Sequence, residues 1–222
     1  LESDTDYLLK DINIEKLYKD AIFNLFPKAD GVDRSLLKLN KVGLYSMTKP
    51  HDAKLMLGII EKYVKPSDSV MINATSGIGG EILNLYTKFK HIYAYELSKI
   101  QYDLLKHNVY VYGAENVDMF NDDFTKHLND HKKDKTIEDK NMHYVVIIDP
   151  PWGGLDYKKG NMLNLKLGDY DMSDLASKID ADLVLFKLPA NHDLSIFDNF
   201  KRTVHNIANY IIVVIDKRPD WV

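Results

Sequence analysis

Residues 69–80 read Ser69-Val70-Met71-Ile72-Asn73-Ala74-Thr75-Ser76-Gly77-Ile78-Gly79-Gly80. An apolar run of strand length ends in a cluster of glycines, and a helical period follows over 78–88. Glycine lets the backbone turn sharply and approach a ligand with no β-carbon between. The same rhythm recurs downstream. Residues 69–74, 91–96, 117–121, 144–149 and 183–188 read as buried strands, with helices over 78–88, 99–112 and 173–179. Near-continuous apolar strands separated by helices predict a parallel sheet covered on both faces. Two last runs, 203–208 and 210–216, are joined by too few residues for a crossover helix, so they must pair antiparallel.

Upstream the period is helical throughout. Ile14, Leu17, Tyr18, Ala21, Ile22 and Leu25 share one face, and Pro27 with Ala29-Asp30-Gly31 should end that helix. A short helix is expected over 34–39. Thr48 reads as the cap of another, with Pro50 in its first turn and Ala53, Met56, Leu57 and Ile60 buried. The chain thus divides into an N-terminal helical extension, 1–48, on the substrate side, and a sheet domain, 49–222. The stretch 131–141, dense in Lys, Asp and Glu, reads as a solvated loop.

Composition narrows the function. With 222 residues and 45% hydrophobic content, one domain with a small appendage can bury a full core. No apolar run reaches the roughly 18 residues of a membrane span. A net charge of −4 argues against gripping long nucleic acid, though a short or terminal RNA presents few phosphates and stays open. The absence of cysteine excludes disulfides, thiolate metal sites and a cysteine nucleophile. The eight histidines are mostly scattered, with His127 and His131 alone at i, i+4, and the expectation is no metal. No signal peptide is visible, which suggests cytoplasm or nucleus, and a start at Leu1-Glu2 reads as a fragment. Only three of 29 basic residues are arginine, a bias typical of AT-rich genomes, viral ones included.

Three places carry candidate chemistry. The glycine turn lies at the carboxyl end of the first strand, where open α/β sheets bind ligands. Glu96 follows Gly79 by seventeen residues, at the second strand tip, where an acid takes the ribose hydroxyls of an adenosine ligand. The pair fits nicotinamide cofactors as well as S-adenosylmethionine, and a plain packing turn with a surface Glu is the alternative. Asp123, after the third strand, could accept from an adenine amine or be a solvated turn residue. The sharpest signal is Asp149-Pro150-Pro151-Trp152-Gly153-Gly154. Its two prolines fix an extended backbone and remove two donors, leaving an acceptor cluster suited to an exocyclic amine. Trp152 offers a face for stacking a base.

A parallel sheet closed by an antiparallel hairpin is similar to class I S-adenosylmethionine-dependent methyltransferases, Rossmann-like and seven-stranded. Methyltransferases of base amino groups share the Asp-Pro-Pro-aromatic form. Pro-Pro-Trp-Gly-Gly followed by Asp156-Tyr157 resembles the trimethylguanosine synthases, which methylate the exocyclic N2 amine of the 7-methylguanosine RNA cap. Lys38-Leu39 with Gly43, Tyr45, Ser46 and Thr48 is similar to that family's entry segment. Further anchors are Asn108, Val111, Tyr112 and Gly113, then Leu188-Pro189 and Asn191.

The resemblance implies S-adenosylmethionine held by Thr48, Asn73, Thr75, Gly77, Gly79, Glu96, Asp123 and Asp149. It implies catalysis by Asp149, Pro150 and Trp152, and a partner that is capped RNA, with no membrane and no metal. A 7-methylguanine would stack between Trp152 and Phe26, with Lys187 and Asn191 contacting the substrate. Phe26 reads equally as core. Three departures stand out: Asn73 where the family has an acid, Asp149 where cellular members carry serine, and Ala190 where an arginine is usual. Two other functions stay open, an adenine-N6 or cytosine-N4 methyltransferase and a degenerate cap-binding or scaffold subunit. Glu96→Ala is expected to weaken cofactor binding by about 1.5–3 kcal/mol in calorimetry. An unchanged dissociation constant would place the ribose elsewhere.

Overall fold

The computed structural model describes residues 12–133, 142–153, 163–207 and 209–219. Its strands are β1 (Ser69–Asn73), β2 (His91–Tyr95), β3 (Val117–Phe120), β4 (His143–Ile148), β5 (Lys166–Leu167), β6 (Tyr170–Asp171), β7 (Leu183–Pro189), β8 (Arg202–Ile207) and β9 (Tyr210–Asp216). Seven of them form one sheet in the order β3-β2-β1-β4-β7-β9-β8, while β5 and β6 pair separately. Strands β1, β2, β3, β4 and β7 are parallel, and β9 runs antiparallel to both β7 and β8. The chain leaves β1 toward β2 and β3, then returns to β4 on the other side of β1. That reversal opens a crevice between the tips of β1 and β4, the place where such sheets take ligands.

Period-two alternation sorts the strand side chains into two cores. Met71, Val145, Ile147, Leu183, Leu185, Ile212 and Val214 face one way. Val70, Ile72, Val146, Ile148, Val184, Phe186 and Val213 face the other. The first face is covered by α1 (Ile12–Leu25), α3 (Pro50–Ile60), α4 (Gly80–Leu85) and α5 (Lys99–Tyr112). The second is covered by α6 (Met172–Lys178) and the turn bearing Phe197. Burial on both sides is why these strands read as continuous apolar runs.

The helices differ from expectation in four places, the first being 34–39, where the chain forms only a 3-10 turn at Arg34–Leu36. The glycine turn runs on to Gly79, so α4 starts at Gly80 and ends at Leu85, shorter than 78–88. A further helix, α2 (Lys41–Ser46), was not foreseen, and Asn40 caps it by accepting from the Gly43 N–H at 2.8 Å. Thr48 does not cap α3. Lys49 occupies that position, and the Thr48 hydroxyl turns inward. The 131–141 loop and the Asp156-Tyr157 pair lie largely or wholly outside the described residues.

The N-terminal segment is fastened to the sheet domain. Leu25, Phe26, Leu37 and Met47 belong to the same apolar cluster as Met71 and Ile147. Asn108, fully buried on α5, clamps the backbone of Lys38: its Oδ1 accepts from Lys38 N at 2.9 Å and its Nδ2 donates to Lys38 O at 3.0 Å. The Tyr112 hydroxyl donates to Pro27 O at 2.6 Å. Phe26 is only 1% exposed. Its ring is core packing, which corrects its assignment as a stacking partner. Phe26→Ala is therefore expected to cost about 3–5 kcal/mol of stability in urea unfolding. A loss under about 1 kcal/mol would return the ring to the surface.

Candidate active site

The crevice at the β1–β4 tips opens into a cavity of about 840 Å³. One end is built by the glycine turn and the β2 tip. Gly77 sits at φ +53°, a left-handed conformation that side chains disfavour, and its N–H points at Glu96. Glu96 Oε2 accepts from Gly77 N at 2.7 Å and Oε1 from Ser98 N at 2.8 Å. Burial pushes the Glu96 carboxyl above its usual range, and these two backbone bonds pull it back. Each oxygen keeps acceptor capacity for a further donor. Beside it, Leu97 and Ile100 present apolar surface, and the buried Gln101 Oε1 has no partner among the described residues. Asp123 lines the same end while its Oδ1 accepts from the Thr125 N–H at 2.9 Å. It is at once a turn cap and part of the wall.

Buried charge organises the other end. The β4–β7 register pairs Ile147 with Leu185 and Ile148 with Phe186. One step further, Asp149 and Lys187 fall opposite each other on the same face. Lys187 Nζ bonds Asp149 Oδ2 at 2.6 Å and Thr48 Oγ1 at 2.8 Å, and the Thr48 hydroxyl donates to Glu81. Burial raises the Asp149 carboxyl, opposed first by the Lys187 charge, with Glu81 adding to the rise. Burial alone would lower Lys187, but Asp149 and Glu81 outweigh it and keep the amine protonated. The Asp149 N–H donates to Thr75 Oγ1 at 2.9 Å, tying the two strand tips together. Gly80 permits this arrangement, since a β-carbon there would stand 2.7 Å from Thr48 N.

Thr48, Thr75, Gly77, Glu96, Asp123, Asp149, Pro150, Trp152 and Lys187, all singled out in the sequence, line this one cavity. Four others do not. Asn73 is 1% exposed and spends its Oδ1 on the Thr75 N–H at 3.0 Å, inside the turn. Gly79 packs toward Leu105 and Leu83. Asn191 follows β7 away from the cavity, its carbonyl accepting from Leu163 N at 3.1 Å. Phe26 is in the core. Lys187 is buried and engaged by Asp149 and Thr48, which makes it the counter-ion of Asp149. The aromatic rings lining the cavity, among the described residues, are Tyr45, Phe124 and Trp152.

Sequence reading missed Glu81, Gln101 and Tyr45. Glu81 had one signal: a charged residue in the first turn of a helix that is otherwise apolar but for Asn84. Five carboxylates (Glu81, Glu96, Asp122, Asp123 and Asp149) and one ammonium line the cavity among the described residues, a strongly negative wall. An adenosine-bearing cation fits this set. Glu96 suits two ribose hydroxyls, Leu97 and Ile100 an adenine face, and the orphaned Gln101 Oε1 an N–H donor.

Such a sheet with such a crevice defines a class I methyltransferase, and S-adenosylmethionine is the cofactor of this class. The model of the RNA cap guanine-N2 methyltransferase family matches residues 68–218. The chain belongs to that family. It is 33% identical over 156 residues to the uncharacterised L320 protein of Acanthamoeba polyphaga mimivirus, covering 67% of this chain and 58% of that one. The chain therefore spans less than two thirds of that relative's length. It is 26% identical to the trimethylguanosine synthase of Schizosaccharomyces pombe, over 95% of this chain and 89% of that protein. Among solved structures, the Thermus thermophilus 16S rRNA N2 G1207 methyltransferase RsmC, in complex with AdoMet and guanosine, shares the fold. Its TM-score is 0.52 at 11% identity, covering 82% of this chain and 44% of that one. No helix among the described residues is long and apolar enough to cross a membrane, and none of them form a metal-holding group.

Lys187→Met strips the counter-ion from a buried carboxylate and should cost about 3–5 kcal/mol of stability at pH 8. In the variant the largest offset to the burial of Asp149 is gone and only the Trp152 hydrogen bond opposes it, so its folded-state affinity for a proton exceeds the unfolded one. Part of the lost stability should return as pH falls below the raised value and Asp149 takes up a proton. A pH-independent loss in urea titrations would mean that the pair is not the origin of the effect.

Proposed function

We propose that this chain transfers a methyl group from S-adenosylmethionine to the exocyclic N2 amine of a 7-methylguanosine RNA cap. The observation that carries the reading is Asp149. It is buried, ion-paired through Oδ2 to Lys187, and placed beside Trp152 in the cavity that also holds Gly77 and Glu96. The carboxylate already takes Lys187 on Oδ2 and the Trp152 side chain, and its remaining lone pairs can accept an amine hydrogen. The Pro150 carbonyl takes the second hydrogen, and together they aim the nitrogen lone pair. The cofactor supplies an electrophilic methyl. The protein supplies proximity and orientation, which convert a bimolecular step into one that is effectively unimolecular.

Trp152 presents its indole for stacking. The 7-methylated ring is cationic, so stacking on indole gains a cation–π contribution of order 1–2 kcal/mol once desolvated. The acidic cavity wall favours both cations, the base and the cofactor, and disfavours a bare phosphate. RNA enters as a substrate presented by its cap, in keeping with a chain of net charge −4.

Incubation with labelled S-adenosylmethionine should methylate 7-methyl-GTP, with GTP and DNA oligomers poorer acceptors. Trp152→Ala should lose about 1–3 kcal/mol of affinity for 7-methyl-GTP while S-adenosylhomocysteine affinity stays within a few-fold. Methylation of DNA but not of 7-methyl-GTP would establish an adenine or cytosine amino-methyltransferase instead. Failure to bind S-adenosylhomocysteine would establish a non-catalytic subunit.

A further inference from the structure

We propose that Glu81 is the acceptor for the α-ammonium of the methionine moiety of S-adenosylmethionine. The inference rests on that cofactor occupying the cavity. Glu81 is only 4% exposed, yet it lines the cavity wall. One of its oxygens takes the Thr48 hydroxyl, and among the described residues no lysine or arginine forms a direct ion pair with it, although it feels the Lys187 charge across Thr48. Lys187, the sole lysine or arginine in the described wall, is engaged by Asp149 at 2.6 Å and by Thr48 at 2.8 Å. A hydroxyl therefore separates it from Glu81. Along this chain the groups run carboxylate, ammonium, hydroxyl, carboxylate. Two negative charges and one positive leave one negative charge facing the cavity.

A buried carboxylate without a cation is costly, so the missing charge must come from what binds there. S-adenosylmethionine carries two positive groups. The sulfonium has no hydrogen to donate, whereas the α-ammonium has three. An oxygen with an unfilled lone pair selects the donor. The other acids are otherwise employed: Glu96 faces the ribose end beside Gly77, Asp122 pairs with Lys126 and His127, Asp123 accepts from Thr125 N, and Asp149 is paired with Lys187 at the substrate end. Asn73, at the strand end where the resemblance expects an acid, is buried in its own turn and holds Thr75 N at 3.0 Å. Glu81 thus carries the charge that position 73 lacks. Gly80 is what brings the two partners together, because only a residue without a β-carbon lets the Thr48 backbone lie against the start of α4.

The test separates the two halves of the ligand. Affinities of S-adenosylhomocysteine, which has the ammonium, and of 5′-methylthioadenosine, which lacks the whole amino-acid moiety, are measured calorimetrically on wild type, Glu81→Gln and Glu81→Asp. Glutamine keeps an acceptor for Thr48 and removes the charge. Glu81→Gln should weaken S-adenosylhomocysteine at least tenfold and 5′-methylthioadenosine less than threefold, with Glu81→Asp between wild type and Gln for the first ligand. Retained 5′-methylthioadenosine binding also reports that the variant is folded. Equal weakening of both ligands, or weakening of S-adenosylhomocysteine under threefold, overturns the assignment. Wild-type protein that binds neither ligand overturns the methyl-transfer reading itself, and Glu81's role with it.

Discussion

The ammonium of Lys187 stands in a strand whose neighbours Phe186 and Leu188 are fully buried, and it is held there by the Asp149 carboxylate and the Thr48 hydroxyl. Asp149 closes β4 in the same way, a carboxylate at the end of an apolar run. Neither charge could be kept alone at such a depth, since desolvation would neutralise it or expel the side chain. Parallel pairing of β4 with β7 sets them side by side at the tips, and each makes the other tenable. The Thr48 hydroxyl extends the pair to Glu81 on α4 and so draws the approach to α3 against the sheet. The cavity's substrate end is the consequence of this one set of contacts.

The same contacts resolve the departures from the trimethylguanosine synthase pattern. A serine at the end of β4 needs no counter-ion, whereas an aspartate does. Lys187 supplies it. Asn73, the second departure, is harmless in the fold, because its side chain braces the glycine turn from within. Ala190 lies beyond β7 and has no part in the cavity wall as described.

The N-terminal segment is continuous with the core. Asn108 and Tyr112, two of the positions that carried the family likeness, clamp Lys38 and Pro27. Their role is to seat the segment on α5, so that Asn40, Tyr45 and Thr48 reach the cavity. A segment held by buried side chains and backbone bonds acts as wall, and its removal would take away Leu25, Phe26 and Leu37 and expose the cluster beneath them.

Sequence by itself determined the sheet, because strands buried on both faces are apolar at every position and show up as runs separated by helical periods. It determined the glycine turn, Glu96 and the Asp149-Pro150-Pro151-Trp152 tip, because chemistry at strand ends needs particular residue types in a fixed order. What it left undecided depends on distance across the chain. Phe26 has the same composition signature as a stacking ring and as a core residue, and only packing made it core. Lys187, 38 residues from Asp149, reads alone as a free cation. The register of two strands turned it into a counter-ion. Glu81 is one more acid in a helix until Thr48, brought close by the missing β-carbon of Gly80, shows which way it faces. Pairings of this kind are set by tertiary contact, and no local period or motif encodes them.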